Sequence, residues 1–280
     1  MNTIYSNSPR PLSILVTGAS SGIGAHTAAR LAADGHRVAG AARRLAEVAA
    51  LPGVAPVHLD LEADQSIEAA ALEAAEAIGP IDVLINNAGY GEFGSVEQTP
   101  LDRARRQFEV NVFGLARLTQ LIVGPMRERG FGRIVNVSSL AGEFSSPLGG
   151  WYHASKFALE ALSDSLRLEL SPFGVDVVVV QPGPVRTPWH EEALQLLTAT
   201  SGTGAYADMA AAVSRYHRNA QDSPVASDPD AVAAAIATAA TTRRPRTRYR
   251  VGRGAGLAVA LSRLPDRLFD SMTRSQFRLE

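Results

Sequence analysis

Two residues of one short stretch have the types and spacing for acid–base chemistry, and a third stands close by. Tyr152 and Lys156 are four positions apart, and Ser139 closes the apolar run before them. On a helix, four residues make about one turn, so the phenol and the ammonium point the same way. A phenol titrates near pH 10 in water and is a poor proton shuttle at neutrality. A neighbouring ammonium favours the phenolate and lowers that value, which makes the pair a plausible acid and base. Read singly, Ser139 is a turn residue and Tyr152 a half-buried packing residue.

The positioning elements are legible on both sides. Residues 133 to 138 form an apolar, β-branched run of the kind that fills a parallel sheet covered on both faces. A Gly- and Ser-rich loop follows, and Trp151 opens a helix that continues through Leu159, Leu162, Leu166 and Leu170 and breaks at 172–174. Near the N-terminus, residues 12 to 16 meet Thr17-Gly18-Ala19-Ser20-Ser21-Gly22-Ile23-Gly24, and a helical pattern then runs to Asp34. Strand, glycine turn and helix in that order suit a pyrophosphate, which needs close backbone approach and free N–H groups at a helix start. Further apolar runs at 37–41, 54–59, 81–85 and 176–180 alternate with helical patterns at 63–78 and 101–129, the last interrupted by Asn111 and Gly114. This alternation predicts an α/β fold: a doubly wound, Rossmann-type parallel sheet with helices on both faces.

Ser139, Tyr152 and Lys156, together with the glycine spacing at 18–24, closely resemble the classical short-chain dehydrogenase/reductase family over residues 12 to 190. The resemblance implies hydride transfer between a nicotinamide and a carbonyl or secondary alcohol. It assigns Ser139 to the substrate oxygen, Tyr152 to the proton, Lys156 to the ribose and to lowering the phenol's pKa, and Asn111 to a water beside the lysine. It places Gly18, Ser20, Ser21, Gly22, Ile23 and Gly24 at the pyrophosphate and Asp60, with Leu61, at the adenine. Asn87, Ala88 and Gly89 fall beside the adenine ribose, and Pro182, Gly183, Val185 and Thr187 at the nicotinamide and its phosphates. An NAD site ends the second strand with a carboxylate, whereas a 2′-phosphate calls for arginine. Ala42 stands at that position and Arg43 and Arg44 follow, which predicts NADP(H), with NAD(H) second.

The bulk numbers set the outer limits. At 280 residues, 46% of them hydrophobic, the chain suffices for one domain spanning 1–280: a nucleotide-binding and catalytic core at 12–187, a lid at 188–227, and a C-terminal helix, strand and tail at 228–280. A net charge of −1 gives no case for nucleic acid, and the absence of cysteine excludes disulfides and thiolate chemistry. The six histidines show no ligand spacing, so no metal is expected. No apolar run is long enough for a membrane span, and residues 1 to 11 lack the apolar core of a leader, so a cytoplasmic protein is the default expectation.

Residues 188 to 227 read as irregular, with Trp189, Leu194, Leu196, Leu197, Tyr206, Met209 and Tyr216 offering a hydrophobic substrate lid. A hydrophobic carbonyl or alcohol, steroid-, retinoid- or aryl-like, is therefore the expected substrate. Asp228-Pro229 caps an alanine-rich helix to Thr241, the arginine-rich stretch 243–253 reads as solvated surface or a subunit contact, and the tail at 256–278 has apolar residues at helical spacing. The family's four-helix packing implies a homodimer or homotetramer. A catalytically silent NADP-binding regulator on the same fold is the rival expectation, and an epimerase or dehydratase ranks below it.

Overall fold

The computed structural model describes residues 10–278. The leader reading therefore rests on residues that lie almost wholly outside it. Seven strands form one sheet in the order β3-β2-β1-β4-β5-β6-β7, and every pairing is parallel. They are β1 Ser13–Thr17, β2 Arg37–Ala42, β3 Val54–His58, β4 Val83–Asn86, β5 Gly132–Val137, β6 Val175–Pro182 and β7 Arg248–Val251. The predicted strands stand within one or two residues of these bounds.

Period-two alternation sends successive side chains to opposite faces. Ile14, Val16, Val135 and Val137 pack beneath α1 (Gly22–Ala33) and α9 (Pro229–Thr241), while Leu15, Leu84 and Ile134 pack beneath α3 (Asp64–Ile78) and α5 (Leu115–Arg129). Short helix α2 (Leu45–Ala49) follows β2, and α6 (Gly150–Leu170) lies between β5 and β6. Asp228 accepts from the Asp230 N–H and so caps α9 as its sequence predicts.

Two expectations are corrected, and one gains detail. The helical pattern over 101–129, read as interrupted at Asn111 and Gly114, is α4 (Leu101–Phe108), a π-helical turn at Glu109–Gly114 that holds both residues, and α5. The extra residue of a π turn turns Asn111 inward, and Gly114 lets this turn close on Leu61, whose carbonyl oxygen would stand 2.2 Å from any Cβ there. The stretch read as irregular holds α7 (Trp189–Ser201) and α8 (Ala207–Asp222). Leu194 and Leu197 are buried in a cluster shared with Phe93, Leu148, Tyr152 and Phe277, with Met209 and Tyr206 packed against it. The arginine-rich stretch is not simply solvated, because Arg248 pairs with Glu160 and Asp164 of α6, and Arg250 with Glu143. Beyond β7, α10 (Ala255–Leu261) and α11 (Asp266–Phe277) complete the described chain. Among the described residues no helix is long and apolar enough to cross a membrane.

Candidate active site

The carboxyl ends of β1, β2, β4, β5 and β6 open into one cavity of about 1130 Å³. Gly18, Ser20, Ser21, Gly22, Ile23, Arg43, Arg44, Asp60, Leu61, Asn87, Ala88 and Gly89 line it at one end. Ser139, Tyr152, Lys156, Pro182, Gly183, Val185 and Thr187 line it further along. Two expected site residues are not among its lining.

Gly24 is a packing residue: a Cβ there would meet the Gly18 carbonyl oxygen at 2.2 Å and Asn87 Nδ2 at 2.5 Å, so it lets α1 close on the turn while contributing no wall. Asn111 is buried and donates from Nδ2 to the Tyr90 carbonyl at 3.0 Å and to Ser155 Oγ at 3.2 Å, while its Oδ1 accepts from the Tyr90 N–H at 3.2 Å. Its amide is engaged with protein groups and holds the loop after β4 against α6.

The structure brings the chemical group together. Ser139 caps a short 3-10 turn by accepting from the Ala141 N–H at 3.1 Å, which fixes its hydroxyl at the end of β5. Tyr152, in the first turn of α6, has its phenol beside the Ser139 hydroxyl. Lys156 stands one turn on and donates to the Val137 carbonyl at 3.0 Å, with Nζ 6.0 Å from the Tyr152 ring centre. The phenol's pKa does not move as its spacing from Lys156 suggests. Burial pushes it up to about 12, and the Ser139 hydroxyl opposes this only in part. Burial lowers Lys156 to about 8, with the nearby Glu160 carboxylate acting the other way. At neutral pH the site therefore holds the phenol protonated beside an ammonium that would stabilise the phenolate left by proton transfer.

The far end fits a dinucleotide. Ser21 makes no side-chain cap on α1, and the first turn of α1 holds no acidic residue. Its N–H groups and dipole thus face the cavity and favour an anionic group there. Arg44 lies across this turn with Nη2 3.2 Å from Ser20 Oγ and 3.3 Å from Ser21 Oγ, and Arg43 is 3.9 Å from Glu62. A phosphate-bearing ligand would meet two guanidinium groups here.

Trp189, read from the sequence as part of the lid, packs on Tyr152 at a ring separation of 5.3 Å, and Phe93 at 5.6 Å. Leu261 of α10 and Phe269, Met272 and Phe277 of α11 also line the cavity, while Leu257 and Leu268 of the same tail stay exposed. His190 and His217 line the cavity although 26 residues separate them in the chain, a distance that leaves no local signal. Among the described residues no group of three histidines or carboxylates is placed to hold a metal.

Comparison with known proteins agrees with this geometry. Residues 13–196 match the family model described as short chain dehydrogenase. The probable short-chain type dehydrogenase/reductase VdlC of Helicobacter pylori is 36% identical over 263 residues, covering 93% of this chain and 96% of its own. A solved short-chain dehydrogenase from Streptomyces avermitilis superposes with a TM-score of 0.77 at 33% identity, covering 97% of this chain and 96% of its own. Actinorhodin polyketide ketoreductase, solved with NADPH, superposes with a TM-score of 0.75 at 28% identity, covering 88% of this chain and 97% of its own.

Proposed function

The chain belongs to the short chain dehydrogenase family, and on that premise we propose that it is an NADP(H)-dependent oxidoreductase acting on hydrophobic ketones or the matching secondary alcohols. The observation that carries this reading is the convergence of Ser139, Tyr152 and Lys156 on one cavity that runs from Arg43 and Arg44 to an aromatic lid. In this reading residues 12–187 bind the cofactor and carry the chemistry. Residues 188–227 form the lid, and 228–280 complete the sheet and line part of the cavity.

The nicotinamide supplies or accepts the hydride when bound; the chain supplies position and a proton. The Ser139 hydroxyl donates a hydrogen bond to the substrate oxygen and orients the carbonyl. The Tyr152 phenol, protonated because it is buried, gives its proton to that oxygen as the alcohol forms and takes it back in the reverse direction. The Lys156 ammonium lies close enough to stabilise the phenolate that remains and to hold ribose hydroxyls. Phe93, Trp189 and the lid exclude water, which strengthens each of these electrostatic contacts.

Purified protein incubated with NADPH or NADH and a panel of aryl, steroidal and small polar ketones tests this by nicotinamide absorbance. Oxidation of NADPH by the bulky ketones ahead of the polar ones is expected. Cofactor binding with no turnover of any carbonyl or alcohol would instead identify a catalytically silent regulator.

A further inference from the structure

The lid carries two imidazoles whose hydrogen bonding the fold does not complete. His190 of α7 and His217 of α8 stand 5.3 Å apart between ring centres, and both line the cavity. The Nε2 atoms of both are buried without a protein partner. His153 shows the contrast: its Nδ1 meets the Ala141 carbonyl at 3.0 Å and its Nε2 accepts from the Ser146 N–H at 3.1 Å, so both nitrogens are used. A buried polar atom left unpaired is costly and calls for a partner.

The surroundings define that partner. A neutral imidazole carries one N–H and one lone pair, so each Nε2 donates or accepts according to its tautomer. A hydroxyl meets either case because it does both. Burial holds both rings below the ordinary histidine range, His217 at about 4, so neither offers a charge to a carboxylate. The walls around them are aromatic: Phe93 packs on His217 at 5.6 Å, and Tyr216 at 5.5 Å.

Phe93 also fixes the position relative to the chemistry. It touches Tyr152 at 5.6 Å and His217 at 5.6 Å, so one aromatic ring separates the proton donor from the imidazole pair. We propose that His190 and His217 form a hydroxyl-binding subsite at the lid end of the cavity, and that the substrate is a hydrophobic ketone with a neutral hydroxyl remote from its carbonyl. The inference rests on the hydride-transfer reading above for which end of the substrate reacts, while the subsite itself rests on the two ring nitrogens.

The test uses rigid fused-ring ketones of several lengths, each as a trio with a far-end hydroxyl, methyl ether or hydrogen. The ratio of kcat/KM within a trio is read with NADPH for the unmodified enzyme and for His190→Phe, His217→Phe and His217→Asn. Calorimetric binding of the same ketones to NADP-saturated protein is the second readout. For the length that fits, the hydroxyl is expected to be favoured about tenfold or more over ether and hydrogen, mainly through KM. Each Phe variant brings the ratio within about twofold of unity, and His217→Asn, which keeps a donor and an acceptor, restores part of it. Ratios near one at every length, or a preference that survives both Phe variants, overturn the subsite while leaving hydride transfer standing. Hydroxyl-selective binding that follows the histidines without reduction of any ketone overturns the hydride reading and keeps the subsite.

Discussion

The rings of Tyr152 and Trp189 stand 5.3 Å apart, tilted by 53°, so the first residue of α7 roofs the phenol in the first turn of α6. Trp189→Ala is expected to open this roof, admit water and lower kcat/KM for a bulky ketone roughly tenfold, chiefly through KM. In the unmodified enzyme each methylene added to a ketone that still fits contributes about 0.8 kcal/mol, or roughly fourfold in kcat/KM. Steady-state kinetics along a homologous series measures both effects, and a flat series would show that the lid forms a polar site.

Tyr152→Phe removes the proton and leaves the ring. It is expected to cost about 10²-fold or more in kcat and to leave NADP(H) affinity nearly intact, because the phenol's contribution is made in the transition state. Single-turnover rates and fluorescence titration with NADPH separate the two quantities. A near-normal rate would place the proton donor elsewhere.

How far such a site can be read from a sequence depends on which contacts are local. The Tyr152 and Lys156 spacing, the turn around Gly18 and the strand ending at Ser139 are short-range patterns, and the structure assembles all three as read. The phenol's pKa is not of that kind, because it is set by burial among residues remote in the chain, Phe93 of the loop after β4 and Trp189 of the lid, which only the fold brings in. The same holds for His190 and His217, whose separation matches no motif. Gly24 and Asn111 stand at motif positions too, but neither lines the cavity: a Cβ on Gly24 would collide with the Gly18 turn, and the Asn111 amide bonds Tyr90 and Ser155. The lid itself misled because glycines at 202 and 204 suggested irregular chain, whereas they fall in the connection between two regular helices.

Lys156 gives a pH dependence with a defined sign. Its pKa is about 8 in the folded chain against an ordinary 10.5, so between those values the unfolded chain binds more protons and stability rises with pH. Below about pH 8 the burial cost is present in full. Replacing the charge with an apolar side chain in Lys156→Met should therefore stabilise the fold at pH 7, by at most about 3 kcal/mol. That advantage shrinks towards about pH 10, and turnover is lost. Thermal unfolding at several pH values checks this, and a destabilised variant at pH 7 would mean that the bond to the Val137 carbonyl outweighs desolvation.

Arg43 and Arg44 are expected to set cofactor choice. Arg43 is largely exposed and loosely paired with Glu62, which Arg106 already holds at 2.9 Å, so its guanidinium is available to a 2′-phosphate. A charge-assisted, bidentate contact of this kind contributes about 1.5 to 3 kcal/mol, or roughly ten- to a hundredfold in relative kcat/KM. Arg43→Ala should erase most of the preference for NADPH over NADH. Arg44→Ala, which loosens the bonds to Ser20 and Ser21, should weaken both cofactors. Equal efficiency of the two cofactors with the unmodified enzyme would remove the assignment.

Assembly is expected through α6. Its outer face carries Ala154, Phe157, Ala161, Ser165 and Leu168, all exposed, at spacings of three and four. Phe157 is 43% and Leu168 68% exposed, with small residues between them. Such a stripe allows a second helix to approach closely and buries two large apolar side chains per copy, and exposed Phe113, at the end of the π turn, adds to the apolar surface left on the described chain. A two-fold axis makes the patch its own complement, so a homodimer or a tetramer built from it is the expected state. Phe157→Glu places two like charges near that axis, unpaired and desolvated, and should weaken association by about 10²-fold or more. Light scattering at micromolar concentration reads both species. A monomeric unmodified protein would leave the α6 stripe without a partner, and an oligomer indifferent to Phe157→Glu would move the interface to another face.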